Sequence, residues 1–99
     1  MYARIVGKYC CQELANFILN INDFAREFMP ITGGGSLEEW ACHFDLPEQG
    51  ITLKGLLRFL NDRCCIEINR KENLVRLRHD NLFKLHLKLS KKLQKERLE

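Results

Sequence analysis

The chain has 99 residues, 45% of them hydrophobic and 29% charged, with a formal net charge of +3. That length suits one small domain with a single core. No apolar run approaches the roughly 18–20 residues of a membrane span, and no basic-then-apolar signal peptide opens the chain, so a cytoplasmic or nuclear setting is expected.

Charge is unevenly placed. Residues 1–53 carry a net of −4 and residues 54–99 a net of +7. An acidic half joined to a basic half fits nucleic acid on the basic side, a partner protein of opposite sign, or simply a solvated basic helix. Five cysteines are present, Cys10, Cys11, Cys42, Cys64 and Cys65. Their number is odd, four form adjacent pairs, and no pair has the spacing that lets one turn offer two zinc ligands. Reduced, mostly buried thiols are expected, with Cys64 and Cys65 as core packing and no metal or cofactor site.

In chain order, residues 9–28 place Cys10, Leu14, Phe17, Ile18, Ile21, Phe24, Ala25 and Phe28 at steps of three and four, one helical face. Asn20-Ile21-Asn22-Asp23 favours helix starts over interiors, so one bent helix and two short ones are both open. Met29-Pro30 ends the helical pattern, because the residue before a proline is driven out of the α region. The run Thr32-Gly33-Gly34-Gly35-Ser36 is expected to be flexible. A native loop and an engineered linker fit its composition equally.

Ser36-Leu37-Glu38-Glu39 is a capping box, and it starts a helix whose expected buried face is Leu37, Trp40, Ala41 and Phe44. A turn over 45–50 follows. Thr52 can cap the next helix, with Leu53, Leu56, Leu57 and Leu60 inward, Phe59 off that stripe, and an end at Asn61-Asp62. Ile66 and Ile68 then face one way and Glu67 the other, as in a strand. A polar turn at residues 70–73 leads into a returning strand, 74–78, with Val75 and Leu77 on one face: a β-hairpin with a charged tip. The segment 82–89 fits both periods. Phe83, Leu85, Leu87 and Leu89 alternate like a strand, whereas Leu82, Leu85, Leu89 and Leu93 fit a helix. The residues His79-Asp80-Asn81 before it and the helix-forming run after it favour a helix over about 81–97.

Angled helices, then a hairpin, then a helix make an α+β chain, mostly α: a winged helix-turn-helix with a β-hairpin wing and an extra C-terminal basic helix, in one domain over 1–99. At this point a family resemblance enters. "GITLKGLL" is similar to the Gly-aromatic-x-Ser-Leu-x-x-Leu-Leu signature of the LOTUS (OST-HTH) domain of germline proteins. Gly50, Thr52, Leu53, Leu56 and Leu57 match, Ile51 stands in place of the aromatic, and there is one residue fewer. "CCIEINRKENLVRL" resembles the family's wing, and "NLFKLHLKLSKKLQKER" the C-terminal helix of its extended type. The resemblance spans about residues 10–97 and is specific over 50–78. "MPITGGGSLEEWACHF" departs from it, standing where the family has a tyrosine-bearing helix.

The resemblance implies a non-catalytic protein-interaction module of germ granules. Extended LOTUS domains dock on the C-terminal RecA-like lobe of the Vasa-type DEAD-box RNA helicase, and other members self-associate or bind RNA. Carried onto this chain, the docking surface would be Phe83, Lys84, Leu87, Lys88, Lys91 and Lys92. The competing reading is a winged-helix domain that binds RNA or DNA through Lys54, Arg58 and Arg63 on one helix and Arg70, Lys71, Arg76 and Arg78 around the wing. Asp62, Glu67 and Glu72 lie among those cations, and the isoelectric point near 8.7 is modest for such a binder. Catalysis is not expected: no strand leads into a phosphate loop, and the three histidines have no partner at a telling spacing.

Overall fold

The computed structural model describes Tyr9, residues 11–23 and residues 27–98, with backbone alone for 96–98. Within these residues the chain is a small, mostly helical α+β unit. Its elements are α1 (Gln12–Asn22), β1 (Met29–Pro30), α2 (Leu37–His43), a 3-10 turn (Pro47–Gln49), α3 (Leu53–Asp62), β2 (Ile66–Asn69), β3 (Leu74–Leu77) and α4 (His79–Leu98).

Helix α1 buries Leu14, Ala15, Phe17, Ile18 and Ile21, the face the periodicity predicts. It stops within the Asn-rich segment, with Asp23 as its C-cap. Cys10, Phe24 and Ala25 lie outside the described residues. Phe28, expected on the buried helical face, is exposed, because the chain there has already turned to enter a strand.

That strand is a second departure. The hairpin is part of a three-stranded antiparallel sheet of order β1-β3-β2, with Met29 opposite Val75 and Pro30 opposite Leu74. A proline is tolerated here because β1 is an edge strand and needs no second ladder partner. In the hairpin, Ile66 pairs Leu77 and Ile68 pairs Val75 on the inner face, while Glu67 pairs Arg76 on the outer. Met29, Ile66, Val75 and Leu77 are buried and Ile68 is half-buried.

The caps form where the sequence puts them. Ser36 Oγ accepts from the Glu39 amide at 3.2 Å, and Thr52 Oγ1 from the Gly55 amide at 3.0 Å. The Glu39 carboxylate reaches back to the Gly35 amide rather than to that of Ser36, so the glycine loop, expected to be flexible, is tied to α2. Gly50 closes the 3-10 turn at φ 79, a left-handed conformation that disfavours a Cβ.

On α3, Leu56 and Leu60 are fully buried, but Leu53 and Leu57 are half-buried and Phe59 is buried instead of lying off the core. The cause is Tyr9, whose ring stacks on Phe59 at 4.6 Å between centroids. Gly55 makes room for it, since a Cβ there would meet the Tyr9 hydroxyl at 2.5 Å. Trp40 and Phe44, expected inside, are half-buried and stack on each other at 6.1 Å at the margin of the core.

The ambiguous C-terminal segment is helix throughout, beginning two residues before the expected start. Leu82, Leu85 and Leu89 enter the core, and α4 packs along α1. Its first turn is anchored twice. Asn81 Nδ2 donates to the Cys64 carbonyl at 2.6 Å, and His79 Nδ1 meets the Asn22 carbonyl at 2.6 Å, where the ring nitrogen must be the donor. The expectation of mostly buried thiols fails. Of the four described cysteines only Cys65 is buried; Cys42 and Cys64 are exposed and Cys11 is half-buried. Cys64 takes φ 57 in the α3–β2 turn, which swings its side chain outward while its neighbour enters the core.

Candidate functional site

Two surfaces collect the candidate residues. The first is the outer side of α4. Spacings of three and four put Phe83, Leu87 and Lys91 in one row and Lys84, Lys88 and Lys92 in the next. All six are exposed. Phe83 retains 48% of its surface and Leu87 44%, large values for apolar side chains on a helix whose other side is core.

Sequence reasoning missed one contributor to this face. Helices α1 and α4 run antiparallel: Asn22 meets His79 at one end, and Gln12 shares a surface hollow with Ser90 and Leu93 at the other. That register sets Leu19 level with the turn between Phe83 and Leu87. Leu19 is itself 45% exposed, and spacings of three and four put it in one row with Ala15 and Asn22. The amphipathic pattern of α1 held the signal, since Leu19 stands outside the buried set Leu14, Ile18 and Ile21. Its meaning depended on which helix lay alongside.

The second surface divides the seven cations proposed for nucleic acid. Arg76 forms a two-pronged ion pair with Glu67, at 2.8 and 3.0 Å, and its guanidinium lies over the Phe28 ring at 5.0 Å. Arg78 shares the same carboxylate at 3.3 Å. Both are on the outer side of the sheet, where Glu67 partly neutralises them. Arg63 folds back along α3, its guanidinium 3.8 Å from the Phe59 ring centre and bonded to the Phe59 carbonyl at 3.1 Å.

Lys54, Arg58 and Arg70 come together elsewhere. They line a cleft of about 370 Å³ between α3 and the β2–β3 turn, with Leu57 and Ile68 among its apolar walls. Lys71 adjoins Arg70 on the turn and is exposed. Residues four apart on α3 share a side, so Lys54 and Arg58 project together, and the hairpin turn brings Arg70 to them.

Among the described residues, no three His, Cys, Asp or Glu side chains are grouped so as to hold a metal ion, and no helix is long and apolar enough to cross a membrane. Burial pushes the Cys65 thiol up to about 11, only partly opposed by the charge of Arg63, which makes it a poor nucleophile at neutral pH. Comparison of the chain with protein-family models, with curated proteins and with solved structures finds no match.

Proposed function

We propose that the chain is a non-catalytic protein-interaction module of winged-helix type, in which α2 and α3 form the helix-turn-helix, β2 and β3 the wing, and α4 the docking helix. The observation that carries this reading is the outer face of α4. Phe83 and Leu87 are almost half exposed on an ordered helix and stand beside Lys84, Lys88, Lys91 and Lys92. Aromatic side chains such as Phe83 are enriched at interfaces, Leu87 adds apolar area beside it, and a row of lysines steers approach toward an acidic partner. Leu19, on α1, is a further exposed apolar side chain at about the same level.

The resemblance to LOTUS domains supplies the candidate partner, the C-terminal RecA-like lobe of a Vasa-type DEAD-box helicase, in the cytoplasm and in germ granules. The test is a pull-down of that lobe by the purified chain, compared with the double variant Phe83→Ala, Lys88→Glu. Capture by the native chain, and its loss in a variant with an unchanged far-UV circular dichroism spectrum, is the expected result. Equal capture by both would remove α4 from the interface. No capture by the native chain would overturn the helicase as partner, and gel filtration at rising concentration would then ask whether the same face pairs two copies.

A further inference from the structure

The cleft between α3 and the β2–β3 turn is independent of the α4 face, and its lining is chemically divided. Lys54, Arg58 and Arg70 supply positive charge, and Asp62 is the one carboxylate among the lining residues. No hydrogen bond or ion pair to another described residue engages Lys54, Arg58 or Arg70, in contrast to Arg63, Arg76 and Arg78. Ile31, Leu57 and Ile68 form an apolar floor. Asn61 and Asn73 add amide groups. Asn73 Nδ2 is held by Thr32 Oγ1 at 3.0 Å, which leaves its carbonyl oxygen as an acceptor.

We infer that this cleft binds one unpaired nucleotide of a single-stranded polynucleotide, with the phosphate on Lys54, Arg58 and Arg70 and the base against Ile31, Leu57 and Ile68. Three features argue for this occupant. The cations match a phosphate, two of them as planar forks able to bind two oxygens at once. The volume of about 370 Å³ falls within the usual range for small-molecule sites, roughly 300–1,000 Å³. The shape is concave, so it accepts a base turned out of its stack, whereas a base inside a duplex cannot enter. Lys54 and Asn61 are seven residues apart on α3, about 10 Å along the axis, which separates a phosphate end from an amide end that meets the base edge. Asp62, beside Asn61 and one turn beyond Arg58, borders the second end, where a carboxylate accepts from a base N–H such as the N3–H of uracil or thymine, and its charge sets the phosphate toward Lys54. Lys71, next to Arg70, lies where the following phosphate of the strand would pass.

Fluorescence anisotropy tests the inference with three labelled probes: a short oligouridine, a short oligodeoxythymidine and a duplex of equal length, at about 50 mM and about 200 mM salt. The expected result is binding of at least one single strand, with the duplex at least about tenfold weaker. The two single strands separate RNA from DNA as the source of the nucleotide. Arg58→Ala with Arg70→Ala should weaken single-strand binding by about tenfold and make its salt dependence shallower by about 0.7 for each cation removed. Lys91→Ala with Lys92→Ala, on α4, should change neither. No binding of either single strand, a duplex bound as tightly, or an equal loss from the α4 pair would each overturn the assignment. Because the cleft arginines are exposed, their variants should fold. Should they not, amide shifts at residues 57–61 and 68–73 of the native chain on adding uridine monophosphate take their place; shifts confined elsewhere would overturn it as well.

Discussion

Truncating the two sides of α4 should give opposite results. Leu82 has no exposed surface. A buried leucine cut to alanine loses its transfer free energy and leaves a cavity, at a cost of about 2–5 kcal/mol. In a domain of this size each kcal/mol lowers Tm by about 4–8 °C, so Leu82→Ala should lose at least about 8 °C. Leu85, 7% exposed, should behave similarly. Phe83 sits between them with 48% of its surface in water. Full burial of a phenylalanine is worth about 1.5–3 kcal/mol, so half-burial limits the loss in Phe83→Ala to about 1.5 kcal/mol. Alanine's better helix propensity returns several tenths of that, leaving about 1 kcal/mol or less. Leu87→Ala should cost about the same. Thermal and urea unfolding, both followed by far-UV circular dichroism, measure all four. A loss in Phe83→Ala equal to that in Leu85→Ala would refute the reasoning, because residues two apart share a face in a strand and not in a helix. It would also remove Phe83 from the surface offered to a partner.

The buried thiol gives a pH prediction. Folding raises the Cys65 pKa from 9.0 to about 11 by burial, so the folded state holds this proton more tightly than the unfolded chain. The stability linked to it is fully present below pH 9 and is lost as the pH rises from about 9 to about 11. The urea midpoint should fall across that window, and less steeply in Cys65→Ala; identical slopes would show that the thiol is not linked to folding. In the native state, peptide mapping after alkylation should find Cys42 and Cys64 modified well before Cys65. Ser36 is fully buried, and its hydroxyl both caps α2 and donates to the Gly33 carbonyl. Ser36→Ala should cost about 1–2 kcal/mol, and an unchanged Tm would mean that the cap contributes nothing.

Local chemistry was legible wherever it acts over one turn. Ser36 and Thr52 cap helices because a side-chain oxygen reaches an amide three residues on, and that geometry needs no knowledge of the rest of the fold. The inward faces of α1 and β3, and the outward placing of Phe83, Leu87 and their lysines, follow from periods of 3.6 and 2 in the same way. Other features depended on distant partners. Phe59 looked peripheral until Tyr9, fifty residues earlier, stacked on it. Phe28 fitted a helical stripe, yet the chain entered an edge strand just after it, and a two-residue strand is too short to show a period. Segment 82–89 satisfied both periods at once, and packing against α1 decided between them.

The candidate sites divide along the same line. One helix carries the whole α4 face, so six residues could be named from spacing alone, whereas Leu19 had to come from the neighbouring helix. The seven cations were a list until the hairpin turn brought Arg70 to Lys54 and Arg58, while Glu67 took up Arg76 and Arg78 on the far side of the sheet. The sequence by itself determined the caps of α2 and α3, the two strands of the hairpin and the inward face of α1, because those terms act between residues a few positions apart. Only the tertiary structure decided which charges meet one another and which meet solvent, because a charge is neutralised by its neighbour in space, wherever in the chain that neighbour lies.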